Sequence, residues 1–341
     1  MILAGDIGGT NTRLALFRLK AERLEMIVEE TFPSRQYSTR EEIARMFVGK
    51  QVLSGAGSNA LRLKYACFGV AGPVKNGDSH LSNLPWEITV DNLRKALAIE
   101  AVTLINDLEA NAYGIAELDV DDFVVLNPGA EGSSGNAAII SAGTGLGEAG
   151  LYWDGSRHHP FACEGGHTDF APRNKIEFEL MQYLLKTLKR AKRVSYERLV
   201  SGPGLFSIYK FLRDTGRGEE PEWLALQINR TNGNDPAAVI SQVAMENKSN
   251  LCVQSLDLFI SLYGSEAGNL ALKMMATGGV FIGGGIAPKI VEKLKSSSFI
   301  DSMTNKGRMK PLLESIPVSV ILNDKTALLG AARRAINYQP A

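Results

Sequence analysis

Short apolar runs separated by glycine-rich turns dominate the first half of the chain, a pattern typical of β-strands joined by tight turns. Residues 2–4 are apolar, residues 5–11 contain the first glycine turn, and residues 12–19 are again strand-like. Further strands are predicted over residues 24–32 and 61–70. The chain therefore begins with a predicted strand–turn–strand unit, and other strands follow it.

A second strand–turn–strand pattern occurs in the middle of the chain. A predicted strand over residues 137–141 precedes a glycine turn at residues 143–147, and residues 149–153 continue as extended chain. A third glycine cluster, residues 278–285, lies between two predicted helices. Two similar turns a domain's length apart suggest two similar units that face one phosphate chain.

Helical periodicity is most frequent in the second half of the chain. Ser38 or Thr39, followed by two glutamates, predicts a helix N-terminus in the first half, and Asn174 with Glu177 predicts one in the second half. The remaining predicted elements are a helix from Asn174 through residue 188, helices over 236–246 and 251–275, a strand over 280–282, a helix from near residue 288, a strand over 318–322 and a final helix from residue 325.

The length of 341 residues predicts about two domains. Lys and Arg total 37, as do Asp and Glu, so no net charge attracts the chain to nucleic acid or to anionic membranes. Small molecules are the expected partners. The densest basic cluster is predicted to be the solvated face of a helix, and it comprises Lys186, Lys189, Arg190, Lys192 and Arg193.

The three cysteines, Cys67, Cys163 and Cys252, form no C-x-x-C pair, which argues against a disulfide framework and a sulfur-rich zinc site. The N-terminus has no basic segment before its apolar residues, and no apolar run approaches the roughly 18 residues of a membrane span. A cytoplasmic protein that does not enter a membrane is expected.

The first glycine turn has the composition of a phosphate cradle, because glycines let backbone N–H groups approach phosphate oxygens. Asp6 ends the first strand and can orient a hydrated Mg²⁺ beside those phosphates. A plain hairpin turn explains the glycines equally well. The chain has no Walker loop, and the turn lacks the dinucleotide-binding G-x-G-x-x-G pattern. In the third cluster, Gly283 and Gly284 could let a base and ribose lie against backbone, or could form a tight strand-to-helix connection.

Asp107 is the best-placed candidate for a general base, since it follows a short apolar strand at residues 101–105, and ligands gather at the carboxyl ends of strands in α/β sheets. Asn106 beside it can fix a sugar hydroxyl. The alternative for Asp107 is a helix N-cap. The two roles are compatible.

A carboxylate and an imidazole share a glycine-rich loop at Glu164 and His167, where they can converge on vicinal hydroxyls. Asn83, in a segment that ends in Trp86, offers another polar group, and Glu197 another acid. The alternatives are a structural histidine for His167 and a helix-surface charge for Glu197. The absence of a G-x-S-x-G elbow and of an H-E-x-x-H motif leaves phosphoryl transfer as the favoured chemistry.

Six motifs, in their order along nearly the whole chain, resemble those of the bacterial glucokinase family. The resemblance implies ATP-dependent phosphorylation of glucose, the first step of glycolysis, with Mg²⁺ held mainly through the phosphates. The motifs are Gly5-Asp6-Ile7-Gly8-Gly9-Thr10-Asn11-Thr12-Arg13, Ser82-Asn83-Leu84-Pro85-Trp86, Ile105-Asn106-Asp107, Ala142-Gly143-Thr144-Gly145-Leu146-Gly147, Glu164-Gly165-Gly166-His167 and the segment from Gly278 to Gly285.

The resemblance also implies residue roles. Asp107 matches the catalytic base. The sugar-binding positions are matched by Asn83, Asn106, Glu164, His167 and Glu197. The nucleotide-binding positions are matched by Gly5, Asp6, Ile7, Gly8, Gly9, Thr10 and Asn11 in the first turn and by Gly143, Thr144 and Gly145 in the second.

The fold implied by the resemblance is the α/β two-domain actin-like ATPase (ribonuclease H-like) fold, with a cleft between a small α/β and a larger α+β domain. The small domain is predicted to be residues 1–117 plus 320–341 and the larger one residues 118–319, and a homodimer is expected. The zinc cluster of the related ROK sugar kinases has no counterpart after His167. A kinase for another hexose, such as mannose or an N-acetylated sugar, and a non-catalytic actin-like ATPase switch are the alternatives.

Overall fold

The computed structural model describes residues 1–53, 62–75, 77–80, 87–99, 101–187, 192–230 and 235–337. It divides into two compact units. The first unit comprises Met1–Val120, His159–Ala162 and Asn323–Ala341, and the second comprises Asp121–His158 and Cys163–Leu322.

The first unit contains a five-stranded sheet in the order β3–β2–β1–β4–β8, with β1–β2 and β2–β3 antiparallel and β1–β4 and β4–β8 parallel. Its elements are β1 (Ile2–Ile7), β2 (Asn11–Lys20), β3 (Arg23–Pro33), α1 (Arg40–Leu53), β4 (Tyr65–Val70), β5 (Val74–Lys75), β6 (Asp78–His80), β7 (Glu87–Thr89), α2 (Val90–Leu97), β8 (Ala101–Asn106), α3 (Asp107–Gly114) and α12 (Thr326–Asn337).

Both faces of this sheet are buried, because successive side chains of a strand point to opposite faces and are apolar on both. In β1, Leu3 and Ile7 pack with Phe47 of α1, whereas Ile2 and Ala4 belong to a separate cluster with residues of α3 and α12. A strand with apolar residues on both faces must be covered on both sides. Helix α1 therefore covers one face of the sheet, and α3 and α12 cover the other.

The second unit contains the strand order β11–β10–β13–β14–β9. β10–β11 and β14–β9 are antiparallel, and β10–β13 and β13–β14 are parallel. The elements from residue 123 onward, up to α12, are β9 (Phe123–Asn127), β10 (Ala137–Ala142), β11 (Leu146–Trp153), β12 (His158–Cys163), α4 (Lys175–Thr187), α5 (Gly202–Asp214), α6 (Glu222–Arg230), α7 (Pro236–Met245), α8 (Asn250–Met274), β13 (Gly279–Gly283), α9 (Val291–Leu294), α10 (Ser297–Thr304), α11 (Lys310–Glu314) and β14 (Val318–Ile321).

The two units repeat one strand arrangement. In each, an antiparallel hairpin with a glycine turn contributes its first strand to a parallel pair, β1–β4 in the first unit and β10–β13 in the second. A second parallel neighbour follows in both, β8 in the first and β14 in the second. The prediction of two similar strand–turn–strand units is confirmed.

Local capping signals explain several helix starts. The Thr39 hydroxyl accepts a hydrogen bond from the Glu42 backbone N–H at 3.2 Å, and the Glu42 carboxylate accepts one from Ser38 N–H at 3.2 Å. The pair differs from a capping box only in that the Glu42 carboxylate bonds the N–H one residue before the cap, and it confirms the predicted start of α1. Asn174 Oδ1 likewise accepts from Glu177 N–H at 3.0 Å before α4. Near residue 288 the chain forms a short 3₁₀ turn before α9.

Among the helices that the structure describes, none combines the length and the apolar character needed to cross a membrane.

The packing of α12 on α3 generates a stability prediction. A Cβ added at Gly330 would lie 2.9 Å from the carbonyl carbon of Ala110 and also strike the Gly114 backbone. Gly330→Ala should therefore lower the free energy of unfolding by about 1–3 kcal/mol, as overpacked cores do, measured by urea denaturation. Gly49→Ala, in the exposed middle of α1 with no neighbouring atom within 4 Å, should be neutral or stabilising. Unchanged stability of Gly330→Ala would contradict the close approach.

Candidate active site

The first glycine turn is a tight hairpin held by side chains from behind. Gly8 N–H donates to Asn11 O at 2.9 Å, and the Ser34 hydroxyl donates to Gly8 O at 2.8 Å. Thr12 Oγ1 lies 3.1 Å from Ser34 Oγ. A Cβ at Gly9 would meet no atom within 4 Å, so the outer side of the turn is open. The turn has the space and the fixed backbone that a phosphate cradle needs.

A buried guanidinium lies behind this turn. Arg40, the first residue of α1, is 2% exposed and donates through Nη1 to Ser34 O at 3.1 Å and through Nη2 to Gly8 O at 3.5 Å. Burial lowers the pKa of Arg40 to about 10, so it keeps its positive charge at neutral pH. No local sequence pattern predicts a role for this residue, although the predicted cap at Thr39 marks the helix that positions it.

Asp6 and Asp107 lie at the carboxyl ends of β1 and β8, the two strands that flank β4 in one sheet. Asp6 of β1 is in register with Gly69 of β4, and a Cβ at Gly69 would be 3.6 Å from Asp107 Cα. The glycine thus lets the start of α3 approach the sheet. Burial raises the pKa of Asp6 above its ordinary value, and the positive charge of Arg13 opposes that rise.

The N-cap of α3 is Asn106, and Asp107 is the first helical residue. Asn106 Oδ1 accepts from Leu108 N–H at 2.8 Å and Glu109 N–H at 3.3 Å, while its Nδ2 donates to Gly72 O at 3.1 Å. The N-cap role, which the sequence left open as an alternative for Asp107, is therefore filled by Asn106. Asp107 Oδ1 accepts from Leu108 N–H at 2.9 Å.

The other residues predicted for the first phosphate turn take different positions. Gly5 is buried in β1 against the Phe68 ring, and Ile7 is part of the core. Thr10 and Asn11 are exposed at the tip and at the start of β2. The exposed members of the motif lie on the turn, and the buried ones support it.

The second glycine turn is held mainly by backbone. Gly143 N–H donates to Gly145 O at 2.9 Å, and Gly202 N–H, at the start of α5, donates to Gly143 O at 2.8 Å. The buried Tyr263 hydroxyl accepts from Ala142 N–H and donates to Ile140 O, each at 3.2 Å. Gly143 has no atom within 4 Å of an added Cβ, so this turn is open as well.

Glu197 adjoins the second turn. Its Oε2 accepts from Leu146 N–H at 3.3 Å and would lie 2.7 Å from a Cβ at Gly145. The residue belongs to a short 3₁₀ turn before α5, and the Ser201 hydroxyl donates to its carbonyl oxygen at 2.7 Å. Glu197 is therefore hydrogen-bonded to the first residue of β11, and the alternative of a charge on a helix surface is wrong.

Glu164 and His167 flank one 3₁₀ turn and have roughly half-exposed side chains. Glu164 Oε2 lies 3.9 Å from His167 Nε2. The two glycines between them are required by close packing: a Cβ at Gly165 would be 2.7 Å from the carboxyl carbon of Glu148, and one at Gly166 would be 3.0 Å from the carbonyl carbon of Leu146. The loop rests directly on β11 and presents both polar groups outward.

Arg193 links this loop to the Glu197 turn. Of the predicted basic helix face, Lys186 lies in α4, Lys189 and Arg190 lie outside the described residues, and the prediction is wrong for Arg193, which lies in a bend. Arg193 Nη1 donates to His167 O at 2.7 Å and to Asp169 Oδ1 at 3.0 Å. Backbone bonds from Phe170 N–H to Val194 O and from Tyr196 N–H to Thr168 O join the same segments. The structure therefore brings Glu164, His167 and Glu197 together within the second unit.

A pocket of about 500 Å³ opens beside the second glycine turn. Of the third glycine cluster, Gly285 lines this pocket, while Gly283 packs on Ser141 and Gly284, with φ of 83°, packs on the Ala142 backbone. No local sequence pattern predicts that α7 lines this pocket, although Asp235-Pro236 is a helix-start signal. The lining residues are Gly143, Thr144, Gly202, Pro203, Leu205, Phe206, Asp235, Pro236, Ala237, Ala238, Ser241, Gly285, Ile286 and Lys289.

Asn83 lies outside the residues that the structure describes. Within the described ranges, no group of three or more His, Cys, Asp or Glu side chains is arranged to hold a metal ion.

Comparisons with known proteins agree on one family. The family model for glucokinase matches residues 3–338. A glucokinase from a Nostoc species is 42% identical over 97% of this chain and 98% of its own length. The crystal structure of a glucokinase from an Antarctic psychrotroph has 31% identity and a TM-score of 0.80, with 99% of each chain covered.

A more distant structure, a ROK-family glucokinase from Streptomyces griseus in complex with glucose and AMPPNP, matches at a TM-score of 0.67 and 20% identity over 99% of each chain. This likeness shows the fold, which is the predicted two-domain actin-like ATPase fold. The glycine turns, the polar loops and the full-length relatives lead to one assignment. The chain belongs to the glucokinase family.

Proposed function

We propose that this chain transfers the γ-phosphoryl group of ATP to the 6-hydroxyl of glucose, with Asp107 as the general base. The first unit supplies the base and one phosphate turn. The second unit supplies the sugar-holding loops, the other phosphate turn and the nucleotide pocket. The observation that carries the proposal is the position of Asp107, the first residue of α3 at the carboxyl end of a parallel strand.

The pocket beside the second turn fits the adenosine part of ATP. Its volume of about 500 Å³ is in the range of small-molecule sites. Apolar lining from Leu205, Phe206 and Ile286 suits a flat base, and Thr144 of the glycine turn adds a hydroxyl to the lining. The open glycines Gly9 and Gly143 leave room for phosphate oxygens.

Asp6 is the residue that would orient a hydrated Mg²⁺ carried by the phosphates. Its carboxyl group is partly buried at the end of β1, and the pKa rise caused by burial would be opposed by a nearby cation. When bound, Mg²⁺ neutralises charge that develops on the phosphoryl group. The buried charge of Arg40 supports the same turn from behind.

The residues proposed to hold the sugar are Glu164, His167, Glu197 and Asn106, with Asn83 as a further proposed contact. Glu164 and His167 are accessible and close to each other, as a bidentate grip on neighbouring hydroxyls requires. Asn106 can donate through the second proton of Nδ2, since its Oδ1 is occupied by the helix cap.

For the phosphoryl transfer, Asp107 accepts the proton of the 6-hydroxyl as the new P–O bond forms. The glucose 6-phosphate produced is the product of the first step of glycolysis. We further propose a cytoplasmic homodimer. The support for the compartment and for the dimer is the family resemblance.

Replacement of the base tests this assignment. Asp107→Asn should lower kcat by about 10² to 10⁴ and leave KM for glucose little changed, because the amide keeps the shape but accepts no proton. The measurement is ADP release with saturating ATP and varied glucose. Asp91→Asn, an exposed aspartate in the first turn of α2, is the matched control and should behave as wild type. A kcat near wild type for Asp107→Asn would reject the role.

Partial filling of the pocket tests the nucleotide assignment. Ala238 lies on α7 and lines the pocket, and Ala238→Leu should raise KM for ATP about tenfold, the equivalent of roughly 1.4 kcal/mol, while KM for glucose stays unchanged. Ala225→Leu, a similar change on α6 away from the pocket lining, should leave both constants unchanged. Equal KM values for ATP in the two variants would place the nucleotide elsewhere.

A further inference from the structure

Glu148 is a buried acid that the proposed reaction does not use. It lies on β11, is 1% exposed, and neither of its carboxyl oxygens has a hydrogen-bond partner among the residues that the structure describes. Its carboxyl group occupies the space where a side chain at position 165 would be. Glu148 therefore lies directly beneath the loop that carries Glu164 and His167.

A second buried acid, Glu266 of α8, faces Glu148 but differs in its surroundings. Glu266 is fully buried and accepts from Asn269 Nδ2 at 2.7 Å and from Lys273 Nζ at 3.4 Å. A buried carboxylate is tolerated when it is paired and hydrogen-bonded. Of the two acids, Glu266 is therefore the one that holds a negative charge, and Glu148 is the one that holds a proton.

The titratable groups around Glu148 agree with this division. Burial, together with the charge of Glu266, raises the pKa of Glu148 to about 8, and Lys273 opposes the rise. Cys163 and Tyr263 also interact with Glu148, and burial raises the pKa of each, so both are neutral at neutral pH. The groups that face Glu148 are thus Glu266, Lys273 and Tyr263 on α8 and Cys163 at the end of β12.

Both sugar-holding segments of the second unit depend on this pair of acids. Gly165 packs on Glu148, and Asn269, which is held by Glu266, donates to the Tyr196 hydroxyl at 3.1 Å. Tyr196 immediately precedes Glu197. If Glu148 lost its proton, its negative charge would lie beside that of Glu266 and would have no hydrogen-bond donor among the described residues. Movement of the Gly165 loop is the direct way to bring a donor or a water molecule to Glu148.

We propose that Glu148 is a positioning residue for glucose: in its neutral form it supports the Glu164–His167 loop, and loss of its proton shifts that loop and weakens sugar binding. The inference rests on the proposed sugar-binding role of Glu164 and His167. Glu148 itself does not touch substrate. Its effect is on KM for glucose and not on the phosphoryl-transfer step.

The sign of the pH dependence follows from the raised pKa. Below about pH 8 Glu148 keeps its proton and the loop is in place, and above that value the fraction with the correct loop falls. In the wild type, KM for glucose should therefore rise about tenfold between pH 7 and pH 9, since one pH unit beyond a pKa changes the ratio of the two forms tenfold. The value of kcat at saturating glucose should change much less.

The test measures KM for glucose and kcat from pH 6.5 to 9.5 in Glu148→Gln. Glutamine keeps the shape of the neutral acid and cannot ionise, so its KM for glucose should be nearly constant over this range. Glu177→Gln is the matched control, because Glu177 is a fully buried glutamate whose oxygens are already bonded to Arg173 and Asn174. This variant should retain the rise of KM above pH 8.

A second variant keeps Glu148 intact, in case glutamine is not accommodated. Glu266→Gln removes the neighbouring negative charge that opposes ionisation of Glu148 and should move the rise of KM to lower pH, while the amide oxygen can still accept from Asn269. A purely structural role for Glu148 would not produce this shift. A wild-type pH profile in Glu148→Gln overturns the proposal, and if Glu148→Gln does not fold, a wild-type profile in Glu266→Gln overturns it.

A separate measurement distinguishes failure of this inference from failure of the proposed sugar site. Glu164→Gln, assayed at pH 7, should raise KM for glucose at least tenfold. If Glu164→Gln leaves KM unchanged, the sugar site is wrong and the inference fails with it. If Glu164→Gln raises KM while Glu148→Gln keeps the wild-type pH profile, the sugar site stands and the role of Glu148 alone is rejected.

Discussion

The first residues of strand β11 are the support on which the second unit's site depends. The Leu146 N–H binds Glu197, the Leu146 carbonyl contacts Gly166, and Glu148 lies beneath Gly165. The same strand begins where the second glycine turn ends. A shift of one residue in the register of β11 would turn Glu148 to the other face of the sheet, and it would displace both polar loops. The glycines at 165 and 166 are therefore a requirement of packing as well as of the motif.

The repeated strand arrangement explains why the two glycine turns occupy equivalent positions, each between two antiparallel strands, although different contacts hold them. The first turn is fixed by the side chains of Ser34 and Arg40, and the second by backbone bonds from Gly202 and by Tyr263. A charged group behind the first turn adds a positive potential, whereas neutral groups hold the second. In the proposed nucleotide site, the first turn would thus contribute a positive potential, and the second mainly shape and N–H donors.

Sequence alone could predict the features that depend on local signals. The two hairpins, the caps at Thr39 and Asn174 and the helix from residue 251 come from short-range patterns, and all are present. Features that depend on distant parts of the chain were not predictable. Arg193 binds the His167 carbonyl across 26 residues, and the α7 wall of the pocket is brought to the glycine turn by tertiary packing.

The glutamates of the chain show why the sequence predicts a role for some carboxylates and not for others. Glu164 and Glu177 are the same residue type, yet Glu164 is half-exposed and Glu177 is fully buried and bonded to Arg173. Motif position identified Glu164, while nothing local separates Glu148 from an ordinary strand residue. Its distinction arises from α8, more than a hundred residues later in the chain, which places Glu266 opposite it. The protonation state of Glu148 is thus a property of the tertiary fold, and it becomes visible once both elements are in place.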